Sequence, residues 1–156
     1  GTHTNTIRPF NVFGPGMQET DYRVLPNFAS RLKADLPLNV YGSGNQTRTF
    51  CYITDAVVGF LLVVLKGVAG EAYNIGNPKP EISMVELVER IEKVLERPVD
   101  HNVIEYPDSY PADEPNRRAP DIRKARLQLD FDPNVELDEG LGRFLGWTDG
   151  VYIGEQ

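Results

Sequence analysis

The residue in this sequence that is best suited to bind a ligand is Arg48, which lies in a β-rich run over residues 47–53. Alternate side chains of a strand share a face, so Arg48 is expected beside Phe50 and Tyr52. A guanidinium held between aromatic rings on a rigid strand suits a planar, anionic ligand. The alternative is an exposed strand whose arginine meets a surface carboxylate, which contributes little. The pattern alone leaves both possibilities open.

A second basic site is the pair Arg117 and Arg118. It stands in a stretch over residues 107–120 that holds four prolines, which predicts an extended loop. The same loop contains Asp113 and Glu114, and adjacent carboxylates in such a loop are more typical of a solvated surface than of a catalytic pair. The loop therefore offers a candidate anion-binding arginine and no obvious general acid or base.

Motifs for a reaction centre or a metal are missing. Gly42, Gly44 and Thr47 approach a dinucleotide-binding fingerprint, but they open a β-run rather than a helix, so we interpret residues 42–45 as a hairpin turn. His3 and His101 have no ligands at metal-binding spacing, and no nucleophile elbow is present. We therefore predict no catalytic residue and no metal in this chain.

Composition narrows the possible partners. The 156 residues carry a net charge of −7 and are 40% hydrophobic, which is typical of one globular domain and unfavourable for nucleic acid. The longest apolar run, residues 56–65, is too short to cross a bilayer, and no secretory signal is visible. Cys51 stands alone, which favours a reducing compartment and a role as a buried filler. We therefore predict a cytoplasmic protein with no nucleic-acid or membrane partner.

Periodicity predicts alternating strands and helices around Arg48. Residues 6–12 read as a strand that ends at a glycine-proline turn, and apolar residues at helical spacing follow from Leu25 to Leu32. Thr54 or Asp55 can cap a helix that runs to about Lys66. That helix is apolar nearly all round, so we expect it to be buried between layers.

The second half of the chain continues the alternation. A capping box from Ser83 to Glu86 precedes the clearest amphipathic helix of the sequence. Further elements are predicted as strands over residues 72–75 and 103–106, a short helix capped by Asp121, and a last helix that begins at Asp138.

Several segments, in order along the chain, resemble extended short-chain dehydrogenases that act on nucleotide sugars. Residues 8–15, RPFNVFGP, are similar to that family's R-x-F-N-x-Y-G-P segment, and residues 38–55 resemble its block around V-Y-G-x-G-x-Q-x-R-x-F. Residues 73–77 match its Y-N-I-G segment. Residues 118–125 resemble the R-x-P-D-x-x-K-A segment of UDP-glucuronate decarboxylases and their relatives. The resemblance extends from about residue 6 to residue 145.

The resemblance implies an α/β fold: the C-terminal strands of a Rossmann-type parallel sheet plus a small α+β substrate-binding lobe. Residues 4–15 and 54–77 would belong to the Rossmann sheet, and residues 16–53 and 78–156 to the lobe. The family's G-x-x-G-x-x-G loop and Tyr-x-x-x-Lys pair are not in this sequence. The chain thus looks like the C-terminal part of such an enzyme, with NAD as the cofactor of the whole protein and not expected to bind the 156 residues tightly.

The resemblance also implies roles for individual residues. Two arginines would hold the diphosphate, Asn11 would contact phosphate or sugar, and two residues would approach the nicotinamide. The implied substrate-binding residues are Asn11, Leu25, Val40, Tyr41, Arg48, Asn74 and Arg118, and the implied cofactor-binding residues are Pro9 and Phe10. The resemblance implies a nucleotide sugar as the ligand, linked to UDP.

Two functions are compatible with this pattern. The chain is either the nucleotide-sugar-binding portion of an NAD-dependent epimerase, dehydratase or decarboxylase, or a non-catalytic nucleotide-sugar-binding or dimerisation module. A glycine-rich fingerprint and Tyr-x-x-x-Lys encoded upstream in frame would favour the first. A homodimer is also expected, because a truncated sheet would leave the strand over residues 6–12 with a free edge.

Overall fold

The computed structural model describes residues 2–107 and 115–154, which form an α/β fold. Asp113 and Glu114 lie outside the described residues. The strands are β1 (Thr6–Pro9), β2 (Val12–Phe13), β3 (Leu38–Tyr41), β4 (Thr47–Arg48), β5 (Cys51–Tyr52), β6 (Ala72–Ile75), β7 (Ile82–Ser83), β8 (His101–Ile104) and β9 (Arg117–Arg118). The helices are α1 (Val24–Lys33), α2 (Ile53–Lys66), α3 (Met84–Leu95), α4 (Arg123–Leu129) and α5 (Leu137–Asp149).

Most strand pairs are parallel and join segments that are distant in sequence. β1 pairs with β6, β2 with β5 and β3 with β8, all in parallel. β4 lies between two strands, antiparallel to β7 and parallel to β9. Parallel pairs need long connections, and these connections contain the helices. The predicted α/β class is therefore confirmed.

The predicted hairpin across residues 42–45 is wrong. β3 and β4 belong to different sheets, because the turn directs the chain away from β3 instead of back along it. Gly42 and Gly44 have φ values of 66° and 73°, and the carbonyl of Gly44 accepts the N–H groups of Met84 and Val85 at the start of α3. The turn thus connects β3 to the N-terminus of a helix, a long-range contact that local pattern does not encode.

Both long strands predicted around the site are interrupted. The run over residues 6–12 divides into β1 and β2 at Asn11, whose φ of 45° lies in the left-handed region. The run over residues 47–53 divides into β4 and β5, so Arg48 does not share one continuous strand face with Tyr52. Asparagine tolerates the left-handed conformation better than most residues, which permits the first break.

The helix starts agree with the sequence in one case and differ in others. At α3, Ser83 Oγ accepts the Glu86 N–H at 3.1 Å and Glu86 Oε2 accepts the Ser83 N–H at 2.7 Å, so the capping box is confirmed. The predicted cap of α2 is wrong, because that helix begins at Ile53 with no side-chain cap. Asp55 instead accepts the backbone N–H groups of Asn134 and Val135 at 3.1 and 2.9 Å.

The starts of the last two helices also shift. Ile122 precedes α4, although Asp121 Oδ1 still accepts the Arg123 N–H at 3.0 Å. α5 begins one residue before Asp138, whose carboxylate accepts hydrogen bonds from Arg90 and Lys93 of α3. Asp138 therefore joins α3 to α5 rather than capping a helix.

Helix α2 is not buried between layers, contrary to the prediction. One face packs closely: a Cβ on Gly59 would lie 2.5 Å from Ile75 Cγ2, so only glycine allows this approach of α2 to β6. The opposite face is open to solvent and mostly apolar. Its exposed side chains are Val57, Val58, Leu61, Val64 and Leu65, followed by Val68 after the helix.

Two hydrophobic clusters support the fold. The larger packs α1, α3 and α5 against β3 and the aromatic side chains of the segments around β2 and β5. Phe13 is at its centre, with edge-to-face contacts to Phe50, Tyr52 and Phe144 at centroid distances of 6.2, 5.6 and 6.1 Å. The smaller cluster joins α2, β6 and α4. The candidate site lies beside the larger cluster, so its floor is held by packed aromatic rings.

Within the part of the chain that the structure describes, no helix is long and apolar enough to cross a membrane. The same residues contain no group of three or more side chains placed to hold a metal ion.

Candidate functional site

A cavity of about 180 Å³ opens between the start of α1, strand β3 and the segments that carry β4 and β9. Ligand sites for whole small molecules usually enclose about 300–1,000 Å³, so this cavity can hold only part of a nucleotide-sized ligand. Six of the predicted binding residues line it, although they come from five separate parts of the chain. They are Asn11, Leu25, Val40, Tyr41, Arg48 and Arg118.

Arg48 is held rigidly at the floor of the cavity. Its strand lies between β7 and β9, and only 7% of the residue is exposed. Its Nη1 donates to the backbone carbonyl of Thr47 at 2.8 Å. A buried guanidinium fixed in this way is oriented before any ligand arrives, which reduces the ordering cost of binding. The surface-exposed alternative considered from the sequence is therefore wrong.

The two adjacent arginines of the neighbouring strand β9 lie in different surroundings. Arg118 lines the cavity, and its guanidinium carbon lies 6.0 Å from the centroid of the Phe10 ring. Arg117 instead binds Glu81, with distances of 2.9 Å from Nε and 2.7 Å from Nη2 to the carboxylate oxygens. The hydrogen bonds from Arg117 are the main cause of the lowered pKa of Glu81. Successive side chains of a strand point to opposite faces, which explains why only one arginine reaches the cavity.

Asn11 connects the two strand segments that carry the arginines. Its Nδ2 donates to the carbonyl of Thr49 at 2.7 Å and to the carbonyl of Arg118 at 3.4 Å. The left-handed backbone of Asn11 and its side-chain amide thus act together at the cavity wall. Because both amide hydrogens point toward backbone carbonyls, the Oδ1 atom is the part of this side chain suited to face a ligand donor.

Two tyrosines form an aromatic wall of the cavity. The rings of Tyr41 and Tyr106 are stacked, with centroids 5.8 Å apart and an interplanar angle of 23°. Gln46 Nε2 donates to the Tyr41 carbonyl at 2.8 Å and to the Tyr106 hydroxyl at 3.1 Å. A Cβ on Gly42 would lie 2.7 Å from Tyr106 Cε2, so glycine allows this ring to approach. An aromatic wall of this kind suits the stacking of a planar base.

The residues that line the cavity include a third arginine, Arg23, which was not predicted from the sequence. Arg23 immediately precedes α1, and its Nε donates to both Asp21 carboxylate oxygens at 3.0 and 2.9 Å. The hydrogen bond from Arg23 is the main cause of the lowered pKa of Asp21, and the same bond raises the pKa of Arg23. The only sequence signal was a basic residue directly before the apolar helical stripe. Gln46 and Tyr106 were likewise not predicted to be site residues.

Three predicted site residues do not line this cavity. Asn74 Nδ2 donates to the Asp121 carbonyl at 3.0 Å, so this side chain holds the segment that leads into α4. Pro9 and Phe10 lie to one side, where Phe10 contacts Arg118. A Cβ on Gly76 would lie 2.8 Å from Phe10 Cβ and 3.1 Å from Pro120 Cγ, so these three segments are tightly packed.

Comparison with known proteins connects this geometry to one family. Residues 1–76 match the family model described as "NAD dependent epimerase/dehydratase family". UDP-glucuronic acid decarboxylase 1 from Arabidopsis thaliana is 38% identical over 145 residues, which are 93% of this chain and 32% of that protein. The same-named protein from Xenopus tropicalis is 38% identical over 92% of this chain and 32% of its own length.

Solved structures agree with this result. UDP-glucuronic acid 4-epimerase from Bacillus cereus, in complex with UDP-glucuronic acid and NAD, superposes with a TM-score of 0.82 at 30% identity over 94% of this chain and 45% of that chain. Epimerase Mth375 from Methanothermobacter thermautotrophicus gives a TM-score of 0.81 at 34% identity over 91% of this chain and 42% of that one.

Fold and sequence together define the class as a Rossmann-type epimerase/dehydratase, so the fold predicted from the family resemblance is confirmed. Residues 1–76 carry the match to the NAD-dependent epimerase/dehydratase family, and the chain is similar over 93% of its length to UDP-glucuronic acid decarboxylase 1. It spans about a third of the length of the curated relatives described above.

Proposed function

We propose that this chain supplies the nucleotide-sugar-binding portion of an NAD-dependent enzyme that acts on a UDP-linked sugar. The observation that carries this proposal is the convergence of Arg48 and Arg118 with the Tyr41 wall on one cavity. A cavity lined by both guanidinium groups and an aromatic ring suits a ligand that carries both a diphosphate and a planar base. Relatives that act on or bind UDP-linked sugars support this ligand class.

The proposed roles follow from the position of each residue. Arg48 and Arg118 bind the diphosphate, because a guanidinium fork donates paired hydrogen bonds to phosphate oxygens. Val40 and Tyr41 hold the base and ribose, and Leu25 forms the apolar side of the nucleotide site. Asn11 holds the two phosphate-binding segments at a fixed separation and presents Oδ1 to the ligand. Asn74 has an indirect role through Asp121, since it does not line the cavity.

We do not expect the residues of this chain by themselves to bind NAD tightly. Pro9 and Phe10 remain the proposed contacts with the nicotinamide, but the face of Phe10 already carries the Arg118 guanidinium. The sequence contains neither a G-x-x-G-x-x-G loop nor a Tyr-x-x-x-Lys pair. In the longer protein, bound NAD would supply transient oxidation of the sugar at C4. The contribution of this chain is to bind and orient the sugar nucleotide.

Among the possible reactions, we favour decarboxylation of UDP-glucuronate. Its support is the R-x-P-D-x-x-K-A segment over residues 118–125 and the 38% identity to the UDP-glucuronic acid decarboxylases. Epimerisation is the second candidate, because the superposed Bacillus cereus enzyme is a UDP-glucuronic acid 4-epimerase. Both reactions use a glucuronate, so both predict a preference for UDP-glucuronate over UDP-glucose.

Calorimetric titration tests the proposed ligand class. The purified chain is titrated with UDP, UDP-glucuronate, UDP-glucose and ADP at one ionic strength. We expect UDP and UDP-glucuronate to bind. ADP should bind at least about tenfold more weakly, because a purine is larger than a pyrimidine and the cavity encloses only part of a nucleotide-sized ligand. Equal affinity for ADP and UDP would contradict the base assignment. Absence of any heat change or ligand-observed NMR signal with all four would contradict the site itself.

Other features of the proposal still rest on the sequence. The assignment of residues 4–15 and 54–77 to a Rossmann sheet and the remainder to a substrate lobe stays a prediction. The cytoplasmic location and the absence of nucleic-acid or membrane partners also stay predictions. We propose a homodimer as well, supported by the exposed apolar face of α2.

A further inference from the structure

We propose that strand β8 is a second self-association surface, which pairs antiparallel with β8 of another copy of this chain about a two-fold axis at Val103. This proposal concerns the edge of the β3–β8 sheet and does not depend on the proposed function. It also differs from the association expected through α2 and β1, because β8 pairs with β3 in a separate sheet.

The hydrogen bonds of β8 define which of its backbone groups are free for pairing. The Asp100 carbonyl accepts the Leu38 N–H at 2.7 Å, and the Ile104 carbonyl accepts the Gly42 N–H at 2.8 Å. In a strand, backbone groups of alternate residues point to opposite edges, so those of His101 and Val103 point away from β3. Those of Glu105, which directly follows β8, continue this alternation when the strand is extended by one residue. Across residues 2–107 and 115–154, no strand pairs with that outer edge.

The side chains make this edge attractive to another strand. All four residues of β8 are exposed, and Val103 is 54% exposed despite being apolar. Natural edge strands usually carry a lysine, a proline or a bulge that blocks pairing. The run from His101 to Glu105 contains no lysine and no proline. The edge therefore lacks two common protections and has β-branched residues at its centre.

The sequence of the strand also selects a partner and a register. In an antiparallel pair, residues whose backbone groups point outward must face one another. A two-fold axis at Val103 satisfies this condition and places Val103 opposite Val103 of the partner subunit. It also places His101 opposite Glu105 of the partner subunit, twice in the symmetric pair. An imidazole donates a hydrogen bond to a carboxylate, so the strand is complementary to its own copy.

A charge-swap experiment tests this register. Sedimentation velocity is measured in a Val64→Glu background, which places a charge on the exposed face of α2 and so disfavours association on the side of the molecule that carries α2 and β1. We expect a dimer in this background. His101→Glu should weaken its association about tenfold, because two pairs of carboxylates then face each other. Glu105→His should also weaken the association about tenfold, because each pair then loses its carboxylate. The double variant His101→Glu/Glu105→His should restore the dimer, because it exchanges the two partners of each pair.

Several results would overturn the proposal. A monomer in the Val64→Glu background at several hundred micromolar would exclude β8 as an interface. A dimer that His101→Glu leaves unchanged would place the contact elsewhere. Loss of the dimer in both single variants without recovery in the double variant would contradict the register. Thermal melts of each variant check that the fold is retained.

Cross-linking gives an independent readout. Val103→Cys should form a disulfide-linked dimer under mild oxidation, because the two cysteines would face each other across the axis. Leu127→Cys on α4 is the matched control, since Leu127 is more exposed at 87% and lies away from β8. The native Cys51 does not interfere, because it is buried, and burial raises the pKa of its thiol to about 12. Equal cross-linking of the two variants would reject a specific β8 interface.

Discussion

Arg48 illustrates how the residue scale determines the chemistry of the site. Its guanidinium is buried at the cavity floor and donates to the Thr47 carbonyl, whereas Arg117, one strand away, is neutralised by Glu81 at the surface. Residues of the same type thus differ in position, because one lines the cavity and the other pairs with Glu81 at the surface. This difference provides a matched pair of variants for testing ligand binding.

Replacement of Arg48 should weaken nucleotide-sugar binding more than replacement of any other residue of the cavity. Hydrogen bonds to charged groups contribute roughly 1.5–3 kcal/mol, so Arg48→Ala should lower the affinity for UDP-glucuronate by that amount. Arg48→Lys should recover only part of the loss, because an ammonium lacks the planar fork. Isothermal titration calorimetry measures both variants.

Arg117→Ala is the control, and we expect it to leave the affinity unchanged. Thermal melts accompany each titration, because Arg48 is buried and its removal can also lower stability. An Arg48→Ala protein with unaltered affinity would show that this arginine supports the scaffold and that the diphosphate binds elsewhere.

Asn11 is expected to stabilise the cavity wall rather than only contact the ligand. Asn11→Gly keeps the left-handed backbone but removes both donors, so it should lower the free energy of unfolding by about 0.5–1.5 kcal/mol. Asn11→Asp should cost more, about 1–3 kcal/mol, because a carboxylate would then face the Thr49 and Arg118 carbonyls. Urea unfolding measures the difference. If both variants were as stable as the unmodified chain, these two hydrogen bonds would have no structural importance.

At the scale of elements, the notable feature is the two-sided character of α2. Its inner face packs on β6 through Gly59, and its outer face exposes an apolar stripe in which Val64 and Leu65 are 77% and 78% exposed. Strand β1 beside it pairs only with β6 among the described residues. Contiguous exposed apolar surface of this kind usually marks an interaction site.

Substitution on the outer face of α2 should reduce self-association without loss of stability. We expect the unmodified chain to dimerise through α2 and these dimers to associate further through β8, so that it sediments as a species larger than a dimer. Val64→Glu should reduce it to a dimer, and Val64→Glu combined with His101→Glu should yield a monomer. Leu127→Glu, at an exposed apolar residue of α4, is the control and should change nothing. A clean monomer of the unmodified chain at high concentration would contradict both surfaces.

At the scale of the whole molecule, the chain has a binding cavity but lacks the motifs for the redox step. We therefore expect it to bind UDP-glucuronate while it neither binds NAD tightly nor converts any UDP-sugar. Titration with NAD and mass spectrometry of products from a panel of UDP-sugars with added NAD measure both properties. The UDP titration is the positive control for a folded site. Turnover by the purified 156 residues would require a catalytic centre that the sequence motifs do not indicate.

The sequence by itself determined the class of fold and six of the residues that line the cavity. Hydrophobic periodicity located every helix, and the capping box at Ser83 and Glu86 defined the start of α3, because these signals depend on contacts within a few residues. The family segments identified six residues that converge on the cavity.

Only the tertiary structure decided how these segments meet. The pairing of β3 with β8, the interruption at Asn11 and the use of Asp55 to bind the loop at Asn134 and Val135 all join residues distant in sequence. Arg23, Gln46 and Tyr106 became site residues for the same reason, since they reach the cavity from separate parts of the chain. Local pattern reports propensity and periodicity, whereas sheet partners, exposed edges and the orientation of a buried arginine depend on packing between elements.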